Sequence, residues 1–294
     1  IAVAYNMVNF LYLKEPIEKA IAQLEAPDLV GLAHYIWNAE WNKAFAHAVK
    51  EKWPHCTIIV GGVQVPDEST RILEENPDFD FAIYGEGEGA FADFLREHDK
   101  ELAVDRRYER CGSLVWRASA QGIFAHSFIA ANPRHAFTDL AELRSPYLDG
   151  VFDKLWSREP RWQVLQEFDR GCPYLCSMCA WGQAALNDIR LFPEERIRAE
   201  LEWFGQHGVD YLDQADANFG IVKRDVELTK FLVEVKKKYG YPKTFRTSFA
   251  KNSNETIWDI ASSLHGAGML KSVTLAMQSM DIDVLVNIRR KNIK

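Results

Sequence analysis

Short continuous apolar runs alternate in this chain with longer stretches whose apolar residues recur every three to four positions. Ile1 to Leu13 is mostly apolar and reads as a strand, and Pro16 then opens a helix that spaces Ile17, Ala20, Ile21 and Leu24 at i, i+3, i+4 and i+7. Asp28 to Trp37 predicts a second, buried strand, followed by a helix with Trp41, Phe45, Ala48 and Val49 on one face. Thr57 to Val60 and Phe79 to Tyr84 predict two more strands, ending in Gly61-Gly62 and in Gly85-Glu86-Gly87-Glu88-Gly89. Strands separated by helices of this length build a parallel sheet wound on both faces, of the Rossmann-like α/β class.

The alternation stops between about residues 106 and 159. Ser113 to Arg117 and Ile123 to Phe128 flank Ser119-Ala120-Gln121-Gly122 and predict a hairpin, and Leu143 to Gly150, with its Pro and Gly, reads as a linker. From Trp162 the rhythm resumes with strand Trp162 to Phe168, helix Pro193 to Phe204 and a strand from Asp210 to Asp213. A helix carrying Leu228, Phe231, Leu232 and Val235 follows, ending at Gly240. Strand Thr244 to Phe249, helix Glu255 to His265, strand Ser272 to Met277 and a helix from Asp281 to Arg290 complete four β/α units, the leading portion of a parallel barrel. The expected organisation is a sheet domain over 1–105, a hairpin and linker over 106–159 and a partial barrel over 160–294. A start at Ile1 without methionine and an end just after a helical pattern begins predict a piece of something longer at both ends.

Composition narrows the partners. With 47% apolar and 26% charged residues the chain is an ordinary globular one, and 294 residues suffice for two cores. The net charge of -7 is spread along the sequence without a Lys/Arg-rich run, which argues against a nucleic-acid face. No apolar stretch approaches the roughly 18 residues of a membrane span. Nor does a basic segment followed by an apolar one open the chain, so no membrane partner and a cytoplasmic setting are expected.

Three of the five cysteines, Cys172, Cys176 and Cys179, fall within eight positions, just after an apolar strand and between residues that force a turn, Gly171 and Pro173. Thiolates so crowded suit a soft metal or an iron-sulfur cluster better than disulfides. Zinc is closed by four ligands and a cubane has four corners, so three cysteines leave one iron open. The competing reading is a zinc knuckle completed by a distant histidine such as His207. Cys56 and Cys111 stand alone and read as buried thiols of a reducing compartment.

CxxxCxxC on the loop after a first strand resembles the signature of the radical S-adenosylmethionine (SAM) enzymes. The resemblance implies a 4Fe-4S cluster held by Cys172, Cys176 and Cys179, its open iron binding SAM, with an electron donor such as flavodoxin or ferredoxin. It departs from the family at Met178, where an aromatic residue is usual. Upstream, PDLVGLAHYIWN, TIIVGGVQVP and FDFAIYGEGEGAF, in that order, are similar to the cobalamin-binding domain of cobalamin-dependent members, and an SPYL-G segment resembles their interdomain joint. Ligands of such sheets lie beyond the strands' C-terminal ends. The resemblance therefore places cobalamin against Tyr35, Trp37, Asn38, Gly61, Gly62, Val63, Gly85, Glu86, Gly87 and Glu88. Neither GxGxxG nor a P-loop is present. His34 is the nearest candidate for a lower cobalt ligand, with a packed histidine as the alternative.

In the barrel half, strand-end polar residues are the expected SAM contacts: Asp216 and Asn218 after the second strand, Ser248 and Lys251 at the third, Gln278 and Ser279 at the fourth. Where the family often has a Gly-Gly-Glu-like segment, this chain has Asp213 to Gly220. Asp216 then either accepts the methionyl amine or, with Asn218, caps the next helix. The implied function is a cobalamin-dependent radical SAM methyltransferase acting on an unactivated carbon of a small molecule or peptide. The alternatives are a cyclisation or rearrangement using the same cofactors, and a catalytically silent corrinoid- and metal-binding module.

Overall fold

Alternate residues of the strand Thr57–Gly61 enter different apolar clusters: Ile58 and Val60 face one core and Ile59 the other. A period of two with both sets apolar is what a sheet covered on both faces requires. The computed structural model describes residues 5–7, 9–98, 107–119, 127–156, 161–179, 188–250, 255–273 and 276–290. The chain divides into two compact units, Ile1–Thr138 and Asp139–Lys294.

The first unit runs α1 (Ile17–Ala22), β1 (Leu29–Ala33), α2 (Ala39–Lys52), β2 (Thr57–Gly61), α3 (Arg71–Glu74), β3 (Phe81–Ile83), α4 (Gly87–His98), β4 (Leu114–Ser119) and β5 (Ser127–Ala131). β1, β2 and β3 pair in parallel, and the hairpin β4–β5 extends the sheet antiparallel, in the order β1-β2-β3-β4-β5. α1, α2 and α3 bring Ala20, Phe45, Val49, Ile72 and Leu73 to the Ile58 face, and α4 brings Ala90, Phe94 and Leu95 to the Ile59 face. Burying each such large side chain stabilises the unit by about 2 kcal/mol. The hairpin's base is fixed by Asn132, whose Nδ2 donates to Tyr108 O (2.6 Å) and Cys111 O (2.8 Å) and whose Oδ1 accepts from Trp116 Nε1 (3.2 Å).

The second unit runs α5 (Asp153–Trp156), β6 (Gln163–Gln166), β7 (Asp169–Arg170), β8 (Arg190–Leu191), α6 (Glu194–Gln206), β9 (Tyr211–Gln214), α7 (Arg224–Tyr239), β10 (Thr244–Arg246), α8 (Glu255–Gly266) and α9 (Ile282–Asn287). β6, β9 and β10 form a parallel sheet in the order β10-β9-β6, and β7 and β8 a separate antiparallel pair. Val164, Leu212 and Phe245 of the three strands share one core with Ile197, Leu201 and Phe204 of α6, Leu228 and Leu232 of α7, and Ile257, Ile260 and Leu264 of α8. α7 stops where the pattern predicts: Gly240 adopts φ +80° and its N–H bonds Lys236 O.

Several expected elements differ. Within Ile1 to Leu13, residues 5–7 and 9–13 carry no strand, and 1–4 and 8 lie outside the described residues. Asp28 to Trp37 is a strand only to Ala33; beyond it Asn38 Oδ1 accepts from Tyr35 N (2.8 Å), a local turn that competes with extended pairing. Gly87 and Glu88 belong to the first turn of α4, so the loop after β3 is shorter than its glycines suggest. The hairpin expected within a connector is the antiparallel edge of the first sheet, its turn lying outside the described residues. No strand forms in the described residues of Ser272 to Met277, which leaves three β/α units where four are expected; 274 and 275 are outside the description.

Candidate cofactor-binding sites

After β6 the chain leaves the parallel sheet through β7, turns at Gly171 (φ +113°) and enters the cysteine loop. Cys172 and Cys176 are buried, Cys179 is half-buried, and none is in a disulfide. Cys179 N donates to Cys176 O (3.1 Å), and Ser177 N to Ile288 O (3.0 Å) at the end of α9. The three sulfurs are not drawn together: among the described residues no three His, Cys, Asp or Glu side chains stand in a metal-holding arrangement. Neutral thiols have no mutual attraction, and it is a metal's charge that deprotonates and gathers them. One of them already has a partner, for Asn218 Nδ2 donates to Cys172 Sγ at 3.1 Å. The donor set, three soft sulfurs on one loop with an amide N–H on one of them, fits a cluster with one iron left open.

Beneath this loop lies a buried acidic network. Asp216 Oδ1 accepts from Phe168 N (2.9 Å) and Asp169 N (3.2 Å), and Arg224 donates to Phe168 O (2.6 Å) and Phe192 O (2.7 Å). The Phe168 peptide, four residues before Cys172, is therefore held on both sides. Asp225 Oδ2 accepts from Gly220 N (2.9 Å) and Val222 N (3.3 Å) at the start of α7. Burial pushes all three carboxyls up. Asp225 rises to about 6 against the opposing bonds from Gly220 and Val222, and Asp169 and Asp216 rise further because each also feels a neighbouring carboxylate. Among the described residues Asp216 Oδ2, Asp169 Oδ2, Asn218 Oδ1 and Gln214 Nε2 are buried with no hydrogen-bond partner. Unsatisfied polar atoms gathered at strand ends are receptive to a polar ligand.

In the first unit, the ends of β1, β2 and β3 present a different surface. Tyr35 and Trp37 stack at 4.7 Å and 5°, and Trp37, Ile36 and Val63 are 69%, 76% and 69% exposed. Gly62 sits at φ +124°, and a Cβ there would meet His34 O at 2.7 Å; Gly85 turns at φ +73° beside Arg134. Exposed aromatic faces beside side-chain-free backbone fit a large flat ligand. His34 is buried, its Nδ1 3.2 Å from Asn42 Nδ2 and its ring edge-on to Phe79, and burial pushes its pKa down. It is the packed histidine of the two readings.

The pattern of the B12 binding domain family matches residues 5–95. Two curated relatives align along 100% of this chain: the 2-(S-pantetheinyl)-carbapenam-3-carboxylate methyltransferase of Streptantibioticus cattleyicolor, 36% identical, and the cobalamin-dependent radical SAM methyltransferase TokK of Streptomyces tokunonensis, 37% identical. Along its whole length this chain is similar to these two methyltransferases. It spans 42% of the length of each of these two. Its fold is similar to the solved structure of the radical SAM methyltransferase TsrM from Kitasatospora setae with cobalamin and a 4Fe-4S cluster bound. That likeness has a TM-score of 0.61 at 14% identity and covers 92% of this chain and 51% of TsrM.

The residues expected to bind cofactor fall into three groups. Asn218 meets Cys172 and Asp216 meets the Phe168 and Asp169 N–H groups, both buried, and neither caps α7; Asp225 holds the Gly220 and Val222 N–H groups just before it. Tyr35, Trp37, Asn38, Gly61, Gly62, Val63, Gly85 and Glu86 line the strand ends of the first sheet, while Gly87 and Glu88 begin α4. Ser248 is exposed just beyond β10, and Gln278 is exposed at φ +65° in a segment that follows no described strand, so the expected strand-end position of Gln278 is not realised. Lys251 lies outside the described residues. Asp169, Arg224 and Asp225 escape a sequence reading because their partners lie 3 to 56 residues away and the longest of these contacts leave no local pattern.

Proposed function

We propose that this chain holds the corrinoid and the cluster of a cobalamin-dependent radical SAM methyltransferase whose substrate carbon, on a small molecule, is unactivated. One observation carries the reading: three cysteines on the loop after β7, one of them already hydrogen-bonded to the loop after β9. The alignment of methyltransferases along the whole chain supports it. When bound, the cluster with SAM supplies the one-electron chemistry that activates an inert carbon, and the corrinoid supplies a methyl carrier.

The chain's own residues bind and orient. Cys172, Cys176 and Cys179 serve as three thiolate ligands and leave the fourth corner for SAM. Asp216 Oδ2 and Asn218 Oδ1 are free to accept from the methionyl ammonium, whose positive charge would offset the burial that now disfavours the Asp216 carboxylate. Ser248, exposed just beyond β10, is assigned to SAM, while Gln278, which follows no described strand, is given no contact. In the first unit Tyr35, Trp37 and Val63 offer apolar area, Gly61, Gly62 and Gly85 let the corrinoid approach the backbone, and Asn38 and Glu86, with Gly87 and Glu88 at the start of α4, complete the rim. Among the described residues no helix is long and apolar enough to cross a membrane. Cys56 and Cys111, buried and in no disulfide, suit the reducing cytoplasm, where a flavodoxin or ferredoxin would deliver the electron.

The test is anaerobic reconstitution with iron, sulfide and hydroxocobalamin, followed by turnover of the full-length protein with methyl-labelled SAM and a carbapenam carboxylate. Expected are cluster and corrinoid bands, 5'-deoxyadenosine, and label in the product, with cluster and product both lost in Cys176→Ala. Deoxyadenosine formed without label in product favours rearrangement; neither cluster nor corrinoid uptake overturns the reading.

A further inference from the structure

We propose that Asn218 is a positioning residue that tunes Cys172 through an N–H···S hydrogen bond and thereby raises the reduction potential of the cluster. The inference rests on the cluster assignment above and adds a role to one side chain. Asn218 Nδ2 lies 3.1 Å from Cys172 Sγ, and both residues are 2% exposed. A thiolate only accepts, so a metal-ligating Cys172 requires the amide to present its N–H end, the orientation found here. Charge-assisted bonds are roughly twice as strong as neutral ones, and a dry surrounding strengthens them further.

The donor is firmly mounted. Phe219, the next residue, is fully buried; its N donates to Ser248 O (2.9 Å) and its O accepts from Ala250 N (2.8 Å). Asn218 O itself accepts from Ile221 N (3.1 Å). The acceptor's root is equally fixed, through the Phe168 peptide clamped by Asp216 and Arg224. Neither Cys176 nor Cys179 receives a side-chain donor among the described residues, so the three sulfurs are electronically unequal. An N–H bond draws charge from sulfur and favours the more negative, reduced state of a cluster; hydrogen bonds to the sulfurs are one of the means by which proteins set such potentials.

Asn218→Leu removes the donor at similar size, and Asn218→Asp replaces it by a carboxyl. Both variants and the wild-type chain are reconstituted anaerobically, iron and sulfide are counted, and the reduced cluster is titrated against potential by electron paramagnetic resonance. Expected is a shift to more negative potential in Asn218→Leu and a larger one in Asn218→Asp, at undiminished iron content. A loaded variant whose potential matches the wild type overturns the inference and leaves the cluster assignment standing. A wild-type chain that takes up no cluster overturns that assignment itself. Should the variants fail to assemble a cluster, cobalt(II) alone at the thiolates decides: the sulfur-to-cobalt charge-transfer band moves to lower energy if the bond is real, and an unmoved band sinks the proposal.

Discussion

Gly62 and Gly31 are both glycines at or beside parallel strands, yet they answer to different constraints. Gly62 combines φ +124° with a would-be Cβ 2.7 Å from His34 O, and that oxygen is backbone, itself placed by the bond from His34 N to Gly61 O. Neither neighbour can yield. Gly31 has nothing within 4 Å of its would-be Cβ and no left-handed backbone. Gly62→Ala is expected to cost about 2 kcal/mol or more, the range for an L residue forced into a disfavoured region, while Gly31→Ala stays within about 0.5 kcal/mol. Urea midpoints at unchanged slope read both values, and equal losses at the two sites would contradict the account. The Gly61-Gly62 pair is conspicuous in the sequence, but which of the two carries the constraint is not, because it depends on the approach of His34, 28 residues earlier in the chain.

Between β6 and the cysteine loop, an element's direction is set by charges that its own sequence does not contain. Asp216 and Arg224 hold opposite sides of the Phe168 peptide across 48 and 56 residues. The strands and helices themselves are legible, since apolar runs such as Thr57 to Val60 and stripes such as Leu228, Leu232 and Val235 follow directly from burial. What the pattern cannot show is register, the short helix α3, or the lack of strand in the described residues of Ser272 to Met277. Each of these depends on what lies across from the segment. The three cysteines are legible by spacing, and their supporting network is not. That network has a pH signature. Asp169, Asp216 and Asp225 are raised in the fold, chiefly by burial, above the ordinary carboxylate value near about 4, so the folded state binds more protons than the unfolded one across that range. The group of three therefore costs stability progressively as pH rises from about 4 through about 6, where Asp225 ionises, and onward through the higher range of the other two. Asp216→Asn keeps an oxygen for the Phe168 and Asp169 N–H groups and removes one charge. Thermal unfolding over a pH series should show a flatter decline for the variant and a higher melting temperature at the alkaline end. An unchanged slope would mean that the network does not titrate as described.

At the scale of the whole molecule, the two units hold separate apolar cores, one cluster in the second unit and two on opposite faces of the first unit's sheet. Each proposed cofactor engages loops that such a core mounts, so its effect on stability should be readable where it binds. A ligand at a hundredfold its dissociation constant stabilises the state that binds it by about 2.7 kcal/mol. Amide exchange reports that gain in proportion to how much of a segment's opening the ligand opposes. Hydroxocobalamin added to the chain is expected to slow exchange at His34–Asn38 and Gly61–Val65, where Gln64 N bonds His34 O and Val65 N bonds Gly62 O. Iron and sulfide should instead slow exchange at Gly171–Cys179, through thiolates drawn together that the free chain leaves apart. Corrinoid that protects neither of the first unit's loops would remove the physical basis for seating it on the Tyr35–Trp37 stack. Protection of the cysteine loop by zinc as strong as that by iron and sulfide would return the three thiolates to the zinc reading that their spacing alone permits.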